Sequence, residues 1–387
     1  MEQPDSTTFI DQLERTPDPR RARGRSFEWR ILLAIISAAL VSGLTTPRGI
    51  AHWALEHGPA LLAQLQPRKR RLPGASTLYR VLRQVNRRQL EAQVAAHNQA
   101  LDDDDAVTGC VTAANGELLR GQAVDGKAVR GASKHGCALH LVSSVRHESG
   151  CVLGQRAVAV KSNEIIAVPL LLAGRDLRGS VTTMDALLTQ RTLARQIPDQ
   201  HGHYLMVVKE NQPELYAQIE LLFRVPPVPV HPSELLTYTY TTRRHGRQET
   251  RTLEASTALT GYLDWPGAAQ VMRRTCRRVI LRTGQVSRKT TYGITSLGRE
   301  LARPEQLEAF WRGHWAIENK VHYVRDETMR EDRGQTHTGS APQALAALRN
   351  GIISLLRYRG WNNIAQALRH FGVSVPLALR LIGWPAT

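Results

Sequence analysis

Cysteines and long apolar runs are scarce in this sequence, and each shortage argues against a class of protein. Only four cysteines occur in 387 residues, without a Cys-x-x-Cys pair, which argues against a disulfide framework or a zinc site and is typical of a reducing cytoplasm. The longest apolar run, residues 31–44, is shorter than the ~20 residues that span a bilayer, and it starts too late for a signal peptide. We therefore expect a buried helix there and no membrane partner.

Acidic residues are also in short supply. The chain carries 51 Lys and Arg against 34 Asp and Glu, a formal net charge of +17. Such a charge destabilises a compact fold by self-repulsion unless a polyanion offsets it. With 42% hydrophobic residues the chain can bury a sizeable core, which excludes a disordered basic tail. Nucleic acid is therefore the expected partner.

The first stretch, residues 1–98, is predicted to be a helical DNA-binding region. Apolar periodicity indicates helices over residues 27–44 and 49–65, and a third helix after the break at residues 73–74. A cationic last helix suits a helix-turn-helix-like unit, and the alternative is a solvated basic helix. The predicted DNA contacts in this region are Arg68, Arg70, Arg71, Arg80 and Arg83.

The order of predicted elements beyond this region indicates one interrupted α/β domain. An acidic linker is expected over residues 99–117, because the consecutive aspartates at 102–105 repel one another and favour a solvated loop. Three strands followed by alternating helices and strands then predict a mixed sheet covered by helices, with its first part at residues 118–223. A β-rich basic insertion over residues 224–300 precedes the second part, residues 301–387, which ends in helices.

Two carboxylates stand at positions that could bring them together. Asp125 lies on the first strand of the predicted sheet, and Asp185 lies at the carboxyl end of the fourth strand and just before a helix. Sites in open α/β sheets collect at the carboxyl ends of strands. The alternatives are that Asp185 is a helix N-cap and that Asp125 is a turn residue.

A third carboxylate, Glu318, lies in the helix predicted after the insertion. Trp311, His314 and Arg325 are seven residues before, four before and seven after it, which predicts one shared stripe on that helix. An aromatic ring, an imidazole, a carboxylate and a guanidinium make a poor core stripe. The alternative is a solvent-exposed charged helix with ordinary i,i+4 pairs.

Six blocks, in this order, closely resemble the DDE-class transposases of insertion sequences, in the group that includes the H-repeat-associated proteins. The blocks are VDGKAVRG, KSNEI, VTTMDALLTQ, YLMVVKENQPEL, HGRQETR and WRGHWAIENKVHYVRDETMRED. The resemblance covers nearly the whole chain. It implies a ribonuclease H-like catalytic fold with a β-rich insertion before the third acid, beside the all-α N-terminal DNA-binding region predicted from the residues.

The resemblance also implies a chemistry. It makes Asp125, Asp185 and Glu318 the catalytic acids and the metal ligands. In-line cleavage of a phosphodiester is well served by two divalent ions ~3.5–4 Å apart, and carboxylate oxygens suit Mg²⁺ or Mn²⁺. The implied partners are double-stranded DNA, as element ends and as target, and a second copy of the chain in a homodimer on DNA. The implied location is the bacterial cytoplasm, at the nucleoid.

The relatives' signature around the third acid is Tyr, Arg, Glu and Lys, and here those positions hold Trp311, His314, Glu318 and Arg325. Aromatic character and charge are kept at the first and last positions, whereas His314 makes the second position's charge depend on pH. All three acids are intact. By this resemblance Trp311, His314 and Arg325 are expected to contact DNA.

Further DNA contacts are predicted from the residues themselves. Lys127 shares a strand face with Asp125 and could reach a phosphate, or be an ordinary surface lysine, and Lys209 and Asn211 follow a strand end. The arginine-dense insertion indicates phosphate contacts along DNA. Its candidates are Arg243, Arg244, Arg247, Arg273, Arg274, Arg277 and Arg278.

The function expected from the sequence is cleavage of terminal inverted repeats and joining of the 3′-hydroxyl ends to target DNA. One alternative is a non-catalytic DNA-binding protein derived from such an enzyme, although a binder could lose any of the acids freely. Another is a ribonuclease H-like nuclease that cuts without joining. The basic insertion favours a protein that keeps hold of its product.

Overall fold

A computed structural model describes residues 7–105, 109–134, 137–159, 163–225 and 235–385. They divide into two compact units. The first unit contains Met1–Thr108, Gly126–Ala167 and Ile317–Thr387, and the second contains Gly109–Asp125 and Val168–Ala316. Each unit is thus assembled from segments far apart in the sequence.

Helices and strands alternate along much of the chain. The α-helices are α1 (Phe9–Glu14), α2 (Trp29–Val41), α3 (Pro47–Glu56), α4 (Gly58–Leu65), α5 (Ala75–Gln84), α6 (Arg87–Asp104), α7 (Glu164–Leu172), α8 (Arg191–Asp199), α9 (Pro213–Arg224), α10 (Pro304–Gly313), α11 (Ala341–Tyr358), α12 (Ile364–Gly372) and α13 (Val375–Leu381). The strands are β1 (Val111–Thr112), β2 (Leu118–Lys134), β3 (Cys137–Arg146), β4 (Val152–Ala157), β5 (Ser180–Met184), β6 (His203–Val208), β7 (Leu235–Arg244), β8 (Arg247–Ser256), β9 (Gln270–Ile280) and β10 (Val286–Thr295).

The first unit is built around a helical core. The apolar run at residues 31–44 forms most of α2, and Leu32, Ile35 and Leu40 are fully buried there, as predicted. They belong to one apolar cluster with residues of α1, α3, α5 and α11. Fully burying each such side chain contributes about 1.5–3 kcal/mol. In the part of the chain that the structure describes, no helix is both long and apolar enough to cross a membrane.

The run of aspartates at residues 102–105 is not the loop that the sequence predicts. Helix α6 continues through Asp104, and the Asp102 carboxylate is buried and accepts from the Arg146 guanidinium at 2.9 Å. The ion pair offsets the repulsion that favoured a solvated loop. The expected linker of residues 99–117 is therefore helical over its first six residues.

The second unit contains a mixed sheet. Strand β2 enters it through residues 118–125 and pairs in parallel with β5, and β5 pairs in parallel with β6. Beyond β6 the pairing is antiparallel, in the order β6, β10, β9, β8, β7. This arrangement confirms the predicted mixed α/β character.

The insertion predicted at residues 224–300 supplies β7 to β10, and its residues 226–234 lie outside the described chain. Its last strand joins the core sheet, because the end of β10 pairs with β6 from Tyr292 to Thr295. That end is buried, whereas the start of β10 is exposed. One strand thus serves both the core and the insertion.

The predicted continuous helix around Glu318 is interrupted. Helix α10 ends at Gly313, and π-helical segments cover Ile317–His322 and Val324–Thr328. A π-helix closes i→i+5 hydrogen bonds, so the 3.6-residue spacing that predicted a single stripe does not apply beyond α10.

Candidate active site

Asp125 and Asp185 follow equivalent positions on two neighbouring strands. In the parallel pairing of β2 with β5, Val124 lies opposite Met184, and each aspartate is the next residue in its strand direction. Neighbouring strands are ~4.8 Å apart, so residues at matching register lie side by side. Asp185 follows the carboxyl end of β5, whereas β2 continues past Asp125 to Lys134. The predicted adjacency of the two acids is confirmed at the level of strand register.

Hydrogen bonds from hydroxyl and amide groups link β2 to β5 just before the two aspartates. The Gln122 side-chain amide donates to the Thr182 hydroxyl at 2.8 Å, and the Thr183 hydroxyl donates to the Gln122 carbonyl at 3.2 Å. All three residues are buried. Sequence reasoning missed them, although the Thr-Thr pair directly before Met184 was a visible signal.

Asp185 is not the N-cap of the following helix, because Gln190 caps α8. Instead, its Oδ1 accepts from the backbone N–H of Leu188 at 3.3 Å in a turn before the helix. The Thr189 hydroxyl bonds to the Asp185 carbonyl at 3.1 Å. The turn therefore fixes one carboxylate oxygen, while Oδ2 has no hydrogen-bond partner among the described residues.

Asn211 supports this turn, and its predicted contact with DNA stays a prediction because the residue is exposed. Its side-chain amide donates to the Ala186 carbonyl at 2.7 Å, and Gln212 donates likewise to the Thr189 carbonyl at 2.9 Å. The β6–α9 connection thereby fastens the segment that carries Asp185. Lys209, on the same connection, is exposed, so its predicted role as a DNA contact stays a prediction.

His314 lies beside the same strand as Asp185. Its Nδ1 is 3.0 Å from the Thr183 hydroxyl, and Thr183 lies on the same face of β5 as Asp185, two residues before it. The structure therefore brings His314 to the neighbourhood of the second acid. Whether it contacts DNA stays a prediction.

Trp311 occupies the core of the second unit, which contradicts its predicted contact with DNA. Its ring packs across β10 at Gly293, where a Cβ atom would come within 2.6 Å of it. The Arg274 guanidinium covers the ring at 5.8 Å from the centroid. An aromatic residue at this signature position therefore fills space between α10 and the sheet.

Glu318 belongs to the first unit, where it is exposed and faces one histidine. Its Oε2 is 3.4 Å from Nδ1 of His322, a side chain that is 5% exposed against 57% for Glu318. The hydrogen bond from His322 lowers the pKa of Glu318, against a smaller opposing effect of burial, and the charges of His322 and Lys127 add to the lowering. His322 was missed from the sequence, although its i,i+4 spacing from Glu318 signals the pair.

Lys127 is a buried ion-pair partner, which contradicts its predicted contact with DNA. Its Nζ lies 2.5 Å from the Asp326 carboxylate and 3.6 Å from that of Asp332. Burial raises the pKa of Asp326, and the Lys127 charge opposes that rise. Because β2 carries Lys127 into the first unit, the ammonium meets these acids instead of solvent.

Arg325 also fails as a DNA contact, since it is fully buried. Its guanidinium lies 2.7 Å from the carboxylate of Glu331, which pairs with Arg349 at 2.9 Å as well. Burial would raise the pKa of Glu331, but Arg325 and Arg349 hold it below its usual value. The basic signature position serves the interior of the first unit here.

The donor set suits a hard divalent cation only in part. Asp125 and Asp185 offer carboxylate groups on neighbouring strands, which is the donor chemistry of Mg²⁺ and Mn²⁺. Across the described ranges, however, no three His, Cys, Asp or Glu side chains are gathered closely enough to hold a metal ion. Glu318 is therefore not part of a three-ligand cluster in this structure.

The arginines of the insertion fall into two groups. Arg273 pairs with Glu254 at 2.6 Å and Arg274 with Glu308 at 2.7 Å, and Arg278 pairs with Glu249 at 2.7 Å. The sequence between residues 273 and 288 has no acid, but strand pairing and helix α10 supply these partners from elsewhere. Arg278 is exposed despite this pairing, and Arg247 is exposed while lying 3.9 Å from the Glu249 carboxylate. The other candidates are exposed as well: Arg243, Arg244 and Arg277.

The predicted basic surface of the N-terminal region is present. Arg68, Arg70, Arg71, Arg80 and Arg83 are all exposed. Two of them lie over aromatic rings, since Arg71 covers Phe27 at 5.7 Å and Arg83 covers Tyr79 at 5.6 Å from the ring centroids. These positions leave the guanidinium groups accessible to a polyanion.

The mixed sheet thus places two aspartates at matching positions of neighbouring strands, and the chain also presents exposed arginines and a helical segment that carries a third acid. The family model described as Transposase DDE domain matches residues 116–355, and the chain belongs to this family. A second model, described as DDE_Tnp_1-associated, matches residues 10–97.

Individual relatives agree with the family. The chain is 32% identical to "Putative transposase YncI" of Escherichia coli O157:H7 over 64% of this chain and 64% of that protein. It is 30% identical to "H repeat-associated putative transposase YhhI" of Escherichia coli strain K12, over 60% of this chain and 63% of that protein. The chain therefore covers less than two thirds of either relative. An uncharacterised protein in the dhlA 3′ region of Xanthobacter autotrophicus is 32% identical over 73% of this chain and 92% of its own length.

Proposed function

We propose that this protein is a DNA transposase of the DDE class that cleaves the ends of its element and joins the 3′-hydroxyl ends to target DNA. Its catalytic core is ribonuclease H-like, and its catalytic acids are Asp125, Asp185 and Glu318. The observation that carries the proposal is the register of β2 with β5, which places Asp125, within β2, and Asp185, directly after β5, at matching positions of neighbouring strands. Family membership supports the same reaction class.

In the proposed site, Asp125 and Asp185 hold divalent metal, Mg²⁺ or Mn²⁺. Bound metal would generate the nucleophile and stabilise charge on the leaving oxygen. The protein's own part is to hold the acids in place through the Gln122–Thr182–Thr183 bonds and the turn after Asp185. Glu318 completes the ligand set in this proposal, and His322 orients it.

In this proposal, exposed arginines bind the DNA backbone. Arg243, Arg244, Arg247 and Arg277 would contact phosphates from the insertion, together with the N-terminal arginines. The proposal includes a homodimer on DNA, because transposition couples two element ends, and action in the cytoplasm at the nucleoid.

A strand-cleavage assay tests the proposal. The full chain is incubated with Mg²⁺ and labelled duplex DNA that carries the inverted repeats flanking its gene. Asp125→Asn and Asp185→Asn should each lower cleavage by at least a hundredfold and leave DNA affinity within threefold. Asp176→Asn, at an exposed site in the same unit, is the matched control and should cleave normally. Cleavage at the normal rate by either catalytic-acid variant would reject the proposal.

A further inference from the structure

A groove of about 500 Å³ opens on the first unit at the starts of helices α3 and α5. Its lining includes Thr46, the N-cap of α3, and Arg48 within α3. It also includes Ser76 and Tyr79 from α5 and Thr336 from the segment before α11. No acidic side chain lines it. The groove lies apart from Asp125, Asp185 and Glu318 in the sequence, and the proposed cleavage does not use it.

The start of α5 is left without a cap. Its N-cap residue is Gly74, and the N–H groups of Thr77 and Leu78 both bond back to the Gly74 carbonyl. The backbone N–H groups of Ala75 and Ser76 have no acceptor among the described residues, as expected for an uncapped first turn. At the start of α3, by contrast, the Thr46 hydroxyl accepts from Gly49 at 3.1 Å.

Glycine at position 74 is not required by the backbone or by space. Its φ of −74° and ψ of 165° are open to any residue. A Cβ atom there would have no neighbour within 4 Å. A capping serine or aspartate would fit, so the backbone donors of Ala75 and Ser76, two residues that line the groove, lack the cap that a local side chain could have supplied.

Two further groups in the groove favour an anionic ligand. The Arg48 guanidinium is exposed and has no ion-pair partner in the described chain. Thr336 is 9% exposed, and its hydroxyl has no hydrogen-bond partner in the same residues and keeps some contact with solvent. A helix start and a guanidinium together form a recurrent setting for phosphate oxygens.

The remaining wall suits a planar ring. Tyr79 is 37% exposed, and its hydroxyl is held by Thr338 at 3.1 Å. The Arg83 guanidinium stacks 5.6 Å from the ring centroid. Base stacking on an aromatic side chain is sequence-tolerant and is a common way to hold a nucleotide outside a duplex.

We propose that this groove binds one nucleotide of a DNA strand. The phosphate would accept hydrogen bonds from the Ala75 and Ser76 N–H groups and from Arg48 and Thr336, and the base would stack on Tyr79. The inference rests on DNA as the partner in the proposed function. It adds a phosphate-binding site that does not involve Asp125, Asp185 or Glu318.

The test places a carboxylate where the phosphate would bind. In Gly74→Asp the new side chain caps Ser76 and Thr77, so thermal stability should not fall, while affinity for a fluorescein-labelled duplex should drop at least tenfold. In Arg48→Gln affinity should drop three- to tenfold, and the salt slope of log Kd should fall by about one. Arg369→Gln removes the same charge from an exposed position outside the groove and should change affinity by less than twofold.

Two results would overturn the proposal. One is that Gly74→Asp and Arg48→Gln bind DNA as tightly as the unmodified chain, with the same salt slope. The other is that calorimetry shows dTMP binding that Gly74→Asp abolishes while duplex affinity is unchanged, which would assign the groove to a free nucleotide. Both results are measurements of binding. A failure of the unmodified chain to cleave DNA would therefore reject the proposed function without deciding whether the groove binds a nucleotide.

Discussion

Replacing Arg325 by methionine should destabilise the first unit without weakening DNA binding by the folded protein. Arg325 is fully buried, with its guanidinium 2.7 Å from Glu331. Removing one partner of a buried ion pair costs about 3–5 kcal/mol. Because Arg349 still pairs with Glu331 at 2.9 Å, we expect the lower end, about 3 kcal/mol.

The pH dependence of this loss follows from Glu331. Burial opposes ionisation, but Arg325 and Arg349 hold the pKa of Glu331 below its usual value. A carboxyl group with a lowered folded pKa stabilises the fold above its unfolded pKa and loses that contribution as the pH falls through the folded value. The difference in free energy of unfolding between the unmodified chain and Arg325→Met should therefore be largest near pH 7. It should become smaller on acidification below about pH 4.

Urea denaturation followed by circular dichroism measures the stability loss, and anisotropy of labelled duplex DNA in the absence of urea measures binding. Arg330→Met, at an exposed position nearby in sequence, is the control and should change stability by less than about 0.5 kcal/mol. If Arg325→Met lost tenfold in DNA affinity while its free energy of unfolding stayed unchanged, the buried assignment of this signature position would be refuted.

Two other predictions concern the stability of the fold and the affinity for DNA. Burial lowers the pKa of His97 to about 4, so its neutral form stabilises the fold above pH 6.5 and this contribution is lost as the pH falls. Between pH 7 and pH 5 urea denaturation should show the unmodified chain losing about 2 kcal/mol more than His97→Leu, and equal losses would contradict the assignment. In the insertion, Arg244→Ala with Arg247→Ala should flatten the salt dependence of DNA affinity, because both side chains are exposed. Arg274→Ala should instead lower stability, since the Glu308 carboxylate would lose its ion pair with Arg274. A flatter salt dependence of DNA affinity in Arg274→Ala would contradict the assignment of Arg274 to packing.

The sequence predicts the α/β character and the adjacency of two acids because both depend on local patterns. Alternation of residue types marks β2 and β-branched residues mark β5, and each aspartate directly follows the last residue of the β2–β5 pairing. The helical character of Glu318's surroundings is visible as well. Its π-helical geometry is not, because a shift from i→i+4 to i→i+5 bonding leaves no periodic mark over six residues.

Predictions about individual basic side chains were less successful, for a physical reason. Whether an arginine is free for DNA depends on partners brought by register and packing. Glu254 lies directly opposite Arg273 only because β8 and β9 pair in their particular register. Glu308 reaches Arg274 from helix α10, 34 residues along the chain. Local charge density could not distinguish these arginines from exposed Arg277.

The family signature was informative about position and less so about role. Trp311 and Arg325 match the aromatic and basic positions, yet both are buried in their own units. Their burial indicates that these two signature positions contribute to packing in this chain. Of the four signature positions, His314 and Glu318 remain the candidates for chemistry on DNA.

Strand transfer of a precut end tests the central claim most directly. A labelled duplex ending in the element's 3′-hydroxyl is incubated with Mg²⁺, a target plasmid and the full chain, and joined products are separated on a denaturing gel. The unmodified chain should join the end, whereas Asp185→Asn should not, and a 3′-dideoxy end should give no product with either. Joining by Asp185→Asn at the normal rate, or cleavage by the unmodified chain without any joining, would contradict the account.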